Sequence, residues 1–256
     1  VIADNCAEFA NQIFNNSADF NGSTLLLGVF FFSLQIYGDF SGYSDIAIGT
    51  SRLFGFDIKQ NFATPYFSRN ILEFWKRWHI SLTSWLTDYV FTPLAIEYRD
   101  FGNKGIIYSI FITFLLSGLW HGANWTFIVW GLLHAIYYLL TILIIGHKAP
   151  KGTVADSRIL PSIKEFSSML LTFVLVSFSY IFFRAESLNH AFSYIIGIFY
   201  ASNLVTAISI KEIIILLLII QLLIVDWRGR YNKHSFEKMS NNKILNFFIY
   251  LFIIVE

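Results

Sequence analysis

An uninterrupted stretch without charge constrains this chain more than any other feature. From Gly105 through His147 no Asp, Glu, Lys or Arg occurs, and the run far exceeds the ~20 apolar residues that cross a bilayer as one helix. A single helix of this length would extend about 60 Å, roughly twice the hydrocarbon core. We therefore predict two membrane-spanning segments that meet near the polar sequence 121–124, at the centre of the run.

The composition extends this conclusion to the whole chain. Hydrophobic residues make up 55% of the 256 residues and charged residues 14%, against roughly 25% charged in soluble domains. We expect an all-α, polytopic membrane protein, a multi-span helical bundle with re-entrant or amphipathic helices. The net charge of +1 gives no support for nucleic-acid binding.

Cysteine and histidine usage excludes two further classes of site. The single Cys6 cannot form an intrachain disulfide, and its expected role is that of a small buried apolar residue. No Cys/His cluster has the spacing of a metal site, so no metal and no bound cofactor are expected.

The first predicted span is Leu25–Tyr37, and it continues directly into the polar stretch Tyr37–Asp45. This stretch contains two glycines, two serines and two carboxylates. Two interpretations remain open. Irregular polar backbone at membrane depth requires burial in protein or a wet cavity, whereas an interfacial loop would simply end the helix.

Asn70–Phe91 is predicted to form an amphipathic helix at the membrane surface. Asn70 with Glu73 three residues later is typical of a helix N-terminus. The apolar face repeats every three or four residues, at Ile71, Trp75, Trp78, Leu82, Trp85 and Tyr89. We expect its tryptophans to lie at headgroup level. His79 lies at the edge of this face, where packing is the more common role of a histidine.

The remaining apolar segments are shorter. Phe166–Phe183 is a predicted span, His190–Tyr200 a surface piece, and Ile213–Val225 a short apolar segment. Residues 244–255 only begin another apolar run. Because the chain lacks an initiating Met and stops within this run, we expect a fragment with further spans on both sides.

The distribution of Lys and Arg residues predicts the orientation of the chain in the membrane. If the spans alternate, 16 of the 18 Lys and Arg residues fall in residues 39–104, 148–165 and 226–243, on one side of the membrane. By the positive-inside rule these loops are cytoplasmic, and His121 faces the exterior or a cavity open to it. An ionisable side chain within an apolar block is costly, so His121 is a functional-site hypothesis. His134, further along the block, is expected to pack or hydrogen-bond.

Four motifs, in order, resemble the membrane-bound O-acyltransferases. They resemble in particular the bacterial branch that includes proteins of alginate O-acetylation and teichoic acid D-alanylation. The motifs are Asp39–Asp45 (DFSGYSD), Glu73–Leu82 (EFWKRWHISL), Leu119–Trp125 (LWHGANW) and Phe182–Ala185 (FFRA). The resemblance covers about residues 37–186. It implies that residues 1–256 are a single transmembrane domain, the C-terminal portion of a longer chain.

The resemblance also implies site residues. His121 corresponds to the family's catalytic histidine and His79 to its second polar position. Further residues of the motifs are expected along the substrate path, namely Asp39, Ser41, Asp45, Trp78, Trp120 and Asn124.

The implied reaction is acyl transfer to a hydroxyl. A neutral imidazole with a pKa near 7 suits a general base, and His121 is the candidate. His79, Asn124 and backbone N–H groups at the helix break could stabilise the oxyanion. The co-substrate would be a cytoplasmic acyl donor, acetyl-CoA or an acyl carrier protein. The acceptor would be an extracytoplasmic polysaccharide or a periplasmic or extracellular acetyltransferase partner, at a bacterial cell membrane.

One segment departs from the family pattern. After Pro93-Leu94 the branch usually has a Gly-Gly-Asn-like turn, whereas this chain reads Ala95-Ile96-Glu97-Tyr98. The identity of the acylated polymer, of the acyl group and of its donor therefore stays open.

Two other functions are compatible with the residues alone. A transporter or proton channel could use His121, His79, Asp39 and Asp45 as a relay, because titratable residues at broken helices are typical of such proteins. A scaffold subunit would use its aromatic and histidine side chains only for packing. The four motifs favour the acyltransferase.

Overall fold

The protein is described by a computed structural model covering residues 1–146, 150, 152–156, 158–200 and 210–232. Within these residues the chain forms α-helices and no β-strand. The helices are α1 (Ile2–Asn15), α2 (Gly22–Leu53), α3 (Ile71–Arg77), α4 (Ile80–Leu86), α5 (Thr92–Glu97), α6 (Asn103–His121), α7 (Trp125–Ile145), α8 (Ile163–Arg184), α9 (Leu188–Tyr200) and α10 (Ile210–Gly229). Among the described helices, α2, α6, α7 and α8 are long and apolar enough to cross a membrane. The predicted all-α polytopic fold is confirmed.

Helix α2 is continuous, so both open interpretations of residues 37–45, irregular backbone and a helix-ending loop, are wrong. Residues 37–45 lie inside one helix of 32 residues. Glycine costs up to about 1 kcal/mol in a helix interior, but breaking the helix at membrane depth would leave several backbone groups without partners at a higher cost. Asp39, Ser41 and Asp45 are therefore side chains of a regular helix, with Asp39 and Asp45 exposed and Ser41 partly buried.

The predicted single helix over Asn70–Phe91 is also wrong, because the chain turns at His79. Helix α3 ends at Arg77, and His79 has φ 44° and ψ 54° before α4 begins. A π-helical turn, Thr87–Phe91, then leads into α5. The predicted N-cap is confirmed, since the side chain of Asn70 accepts a hydrogen bond of 2.9 Å from the Glu73 N–H.

The tryptophans of this region do not all lie where an interfacial helix would place them. Trp75 and Trp78 are buried in the protein core, whereas Trp85 and Tyr89 are exposed. Trp78 stacks on Phe74 with 5.5 Å between ring centroids. The first half of the segment is therefore a core element, and the expected headgroup anchoring does not apply to Trp75 and Trp78.

The charge-free block forms the predicted helical hairpin. Helix α6 ends at His121 and α7 begins at Trp125, with Asn124 as its N-cap. Two glycines allow the helices to approach closely. A Cβ at Gly118 would collide with the Phe127 carbonyl, and one at Gly131 would collide with the Phe114 carbonyl.

Helix α2 lies at the centre of the bundle, packed against α1, α8 and α9. The core contains Phe31, Phe74 and Tyr180, all nearly inaccessible to solvent. Two minor predictions are confirmed. Cys6 is buried and unpaired, and His134 is buried with its Nε2 2.9 Å from the Ser179 hydroxyl.

The later segments agree with the sequence in type but extend further. Helix α8 contains the predicted span, α9 the short piece, and α10 the apolar segment 213–225. Because α10 runs to Gly229, the loop predicted from Asp226 begins later than expected. Residues 233–243 of that loop and the apolar run 244–255 lie outside the described residues.

Candidate active site

A cavity of about 310 Å³ lies where α2, the turn at His79 and the C-terminal ends of α6 and α8 meet. His79 and His121 both line it, although α4, α5 and most of α6 separate them in the chain. Asp39 and Trp120 also line it. The fold therefore brings together five of the predicted site residues: His79, His121, Asp39, Trp78 and Trp120.

His121 sits in an aromatic enclosure at the last position of α6. Its ring meets Phe183 edge-on at 4.9 Å between centroids, Trp130 at 5.2 Å and Trp120 at 4.9 Å. The helix ends there because Gly122 adopts an extended conformation and the chain turns into α7. Among the described residues no protein group hydrogen-bonds the imidazole of His121, so both nitrogens are available to a ligand.

His79 approaches the same cavity from the break between α3 and α4. Its ring packs edge-on against Phe40, 4.6 Å between centroids, and faces Trp120 at 6.0 Å. Burial lowers the pKa of His79 from 6.5 to about 4, because a low-dielectric environment disfavours the charged imidazolium. The imidazole is therefore neutral at physiological pH.

Trp120 connects the two histidines. Its indole contacts both imidazole rings edge-on, and the side chain is 60% exposed. Trp78, in contrast, is 6% exposed and forms the floor beneath the turn. Asp39 is exposed on α2 and supplies the one carboxylate among the residues that line this cavity.

The other predicted substrate-path residues lie elsewhere. Ser41 and Asp45 line a second cavity of about 240 Å³, together with Asn61, Arg77 and Asp226. Asn124 does not line either cavity. Its side-chain Oδ1 accepts from the Thr126 N–H at 3.1 Å, and its side-chain Nδ2 donates to the Glu186 carbonyl at 2.9 Å. The amide of Asn124 is thus engaged in capping α7.

Comparison with known proteins assigns the family. The model of the MBOAT, or membrane-bound O-acyltransferase, family matches residues 17–179, which include both histidines and α2. The chain belongs to the membrane-bound O-acyltransferase family. As its helices and this family indicate, it is a membrane protein.

Curated relatives of this MBOAT chain include three kinds of bacterial enzyme. A probable alginate O-acetylase of Azotobacter vinelandii is 40% identical over 194 residues, 74% of this chain and 35% of the relative. A peptidoglycan O-acetyltransferase of Helicobacter pylori is 37% identical over 201 residues, 77% of this chain and 36% of the relative. A teichoic acid D-alanyltransferase of Bacillus subtilis is 33% identical over 172 residues, 64% of this chain and 42% of the relative. The chain matches little more than a third of the length of the first two.

Several MBOAT motif residues support the site rather than line it. Glu73 accepts hydrogen bonds from Arg77 at 2.8 Å and from Arg69 at 3.0 Å, which ties α3 to the segment before it. Arg184 of the last motif donates to Asn11 at 2.7 Å and joins α8 to α1. These contacts fix the elements that carry His79 and Phe183.

Sequence reasoning missed several residues around the histidines, including Ile36 and Phe40 of α2, which line the cavity. Trp130, Tyr180 and Phe183 line the cavity, and Asn61 holds the residues that follow His79. Trp130 lies among many aromatic residues of α7, and only the hairpin geometry singles it out. Phe183 belongs to the fourth motif, Phe182–Ala185, but was not predicted as a site residue. Among the described residues no group of three or more His, Cys, Asp or Glu side chains could hold a metal ion.

Proposed function

We propose that this chain is the catalytic portion of a membrane-bound O-acyltransferase that transfers an acyl group, acetyl in the simplest case, to an extracytoplasmic hydroxyl. The observation that carries the proposal is the convergence of His79 and His121 on one aromatic-walled cavity at a helix break. Family membership supports the same reaction class.

His121 acts as the general base. As the acceptor hydroxyl oxygen attacks the carbonyl carbon of the acyl thioester, an imidazole nitrogen of His121 takes the hydroxyl proton. The tetrahedral intermediate then collapses, the C–S bond breaks, and the departing thiolate takes the proton from the imidazolium. The products are the ester and the free thiol, and His121 is neutral again.

The cavity walls favour this chemistry in two ways. The rings of Trp130, Phe183 and Trp120 exclude bulk water around His121, which limits hydrolysis of an activated acyl group. A neutral His79 beside the base avoids a second positive charge that would oppose formation of the imidazolium.

The donor and acceptor follow from the predicted topology. The basic loops support a cytoplasmic position for the N-terminal end of α6, where acetyl-CoA or an acyl carrier protein would supply the acyl group. The relatives are named for alginate, peptidoglycan and teichoic acid. We therefore propose a bacterial cell-envelope polysaccharide as acceptor, reached directly or through an extracytoplasmic acetyltransferase partner. The protein would act in the bacterial cell membrane with no bound cofactor.

The proton-relay alternative has less support. Asp39, His79 and His121 share the cavity, but Asp45, the fourth member of that relay, lines a different one. The family match favours acyl transfer over transport. If the chain were only a scaffold subunit, loss of the His121 imidazole would leave ester formation unchanged.

The test is polymer-linked ester content in cells that carry the full-length gene. The His121→Ala variant should lose ester at a membrane protein level equal to that of wild type. Trp125→Ala is the matched control, because Trp125 lies four residues away, is 72% exposed and does not line the cavity. Unchanged ester in His121→Ala would refute His121 as the base.

A further inference from the structure

The backbone of His79 is strained. Its φ of 44° and ψ of 54° place it in the left-handed region, which is unfavourable for a residue other than glycine. Such a conformation persists only where surrounding contacts determine it, and it is common at functional sites. The residues that hold this turn are therefore candidates for a role in the site.

Asn61 holds the turn with both its backbone and its side chain. Its carbonyl accepts from the Ile80 N–H at 3.0 Å. Its side-chain oxygen accepts from the Ser81 N–H at 3.2 Å and from the Ser81 hydroxyl at 2.6 Å. The Asn61 amide in turn donates to Ser44 of α2 at 3.3 Å. One asparagine thus ties the two residues after His79 to the helix that carries Asp39.

The Ser81 hydroxyl also constrains the imidazole. A serine hydroxyl has a single hydrogen, and at 2.6 Å from the Asn61 oxygen that hydrogen is committed to Asn61. Nδ1 of His79 lies 3.5 Å from the same hydroxyl oxygen, which is a long contact. In this contact Ser81 can only accept, so the contact favours the tautomer that carries its proton on Nδ1. A neutral imidazole then has its lone pair on Nε2.

We infer that Asn61 and Ser81 are positioning residues that fix His79 as the Nδ1–H tautomer and present its Nε2 to the cavity as a hydrogen-bond acceptor. Nε2 would then accept from a neighbouring hydroxyl of the polysaccharide acceptor and orient the acceptor, which leaves the proton of the attacking hydroxyl to His121. His79 would not serve as an oxyanion donor, because its one proton faces Ser81. The ligand assigned to Nε2 rests on the proposed function. The assignment of the tautomer rests on the contacts of Ser81 and does not depend on that function.

Ring packing supports a single orientation of the imidazole. Phe40 meets the ring at an interplanar angle of 86° and Trp120 at 72°. A ring flanked edge-on by two aromatic side chains on different helices has little freedom to turn over. Ring packing therefore determines which nitrogen faces the cavity, and the tautomer determines whether that nitrogen accepts or donates a hydrogen bond.

The first experiment is nitrogen-15 NMR of histidine-labelled full-length protein in liposomes at pH 7, with the His79 signals assigned by their loss in His79→Gln. We expect a protonated Nδ1 and an unprotonated Nε2. In Ser81→Ala the Nε2–H form should appear, and Ser81→Thr, which keeps the hydroxyl, should restore the wild-type spectrum. A wild-type spectrum with Nε2 protonated, or one unchanged in Ser81→Ala, would overturn the inference whatever the enzyme does.

The second experiment measures acyl transfer by the same variants. Ser81→Ala should lower kcat about tenfold, the order that partners orienting a functional histidine contribute, with little change in KM for the donor. Ser84→Ala is the matched control, since the Ser84 hydroxyl donates to the Ser81 backbone carbonyl one turn earlier. An equal loss in both variants would indicate a merely structural role. If His121→Ala retained ester while the tautomer depended on Ser81, the proposed function would fail and the positioning would stand.

Discussion

Glu73 and Arg77 form an ion pair 2.8 Å long on successive turns of α3, and the glutamate side chain is 5% exposed. Arg69 binds the other carboxylate oxygen at 3.0 Å. The pair lies directly before the turn at His79, so it fixes the end of the helix from which that turn departs. Glu73, a residue of the second motif, therefore stabilises the helix that leads to His79 and does not line the cavity itself.

Replacing Glu73 should destabilise the protein strongly. Glu73→Gln removes the charge and leaves two arginines in a nearly buried position, and breaking such a pair costs about 3–5 kcal/mol. The midpoint of thermal unfolding in detergent measures the loss. Glu97→Gln is the control, because Glu97 is exposed in α5, and its midpoint should stay within the error of wild type. Equal midpoints for both variants would contradict a stabilising role for the pair.

Close packing of α6 against α7 leads to a second prediction. Gly118→Ala would place a methyl group against the Phe127 carbonyl and force the helices apart three residues before His121. We expect a lower unfolding midpoint and, at matched protein level, reduced ester formation, because displacements of about 1 Å at a site cost about 100-fold in rate. Both are measured in the full-length protein.

Gly49→Ala is the matched control for Gly118→Ala. Gly49 also lies within a long helix, but nothing lies within 4 Å of a Cβ built there. Alanine should be neutral or stabilise by up to about 1 kcal/mol through its helix propensity. A loss of activity in Gly49→Ala equal to that in Gly118→Ala would refute the packing explanation.

The sequence was most informative where membrane physics leaves few choices. The charge-free run required two helices with a break near His121, and the structure places that break between His121 and Trp125. The cap at Asn70 followed from local hydrogen bonding and is present. In both cases the interactions that decide the structure involve residues close together in the chain, so a short stretch of sequence is enough to predict it.

The errors arose where tertiary contacts outweigh local propensity. Glycines at 38 and 42 predicted a break in α2. The helix stays intact because backbone N–H and C=O groups at membrane depth need hydrogen-bond partners within the protein. The helical periodicity across His79 predicted continuity, whereas Asn61, some twenty residues earlier, holds the turn there. Trp130 and Phe183 reach His121 only through packing of three helices, which no pattern within one segment reveals.

A third prediction concerns a buried link between α2 and α10. The Tyr37 hydroxyl donates to the Asp226 carboxyl at 2.6 Å, and both residues are buried. Tyr37→Phe should cost about 1.5–3 kcal/mol, the range for hydrogen bonds to a charged partner. A double-mutant cycle with Asp226→Asn should show coupling of the same order. Tyr43→Phe, an exposed tyrosine on the same helix, should change nothing, and additive effects in the cycle would contradict a direct interaction.

The last prediction is the pH dependence of stability contributed by His79. Burial lowers its pKa from 6.5 in the unfolded chain to about 4, so between these values the unfolded state binds more protons than the folded state. Stability must therefore fall as the pH decreases from about 6.5 toward 4, and the contribution of His79 is constant above and below that window.

The His79→Gln variant cannot titrate at this position and should lose this pH dependence. Asp39 and His121 line the same cavity and remain in both proteins, so the difference between wild type and variant reports the titration of His79 together with its electrostatic coupling to these two groups. Unfolding midpoints in detergent from pH 4 to 8 measure it. A difference that is independent of pH, or that grows in favour of wild type as the pH falls, would show that His79 is not held neutral by burial.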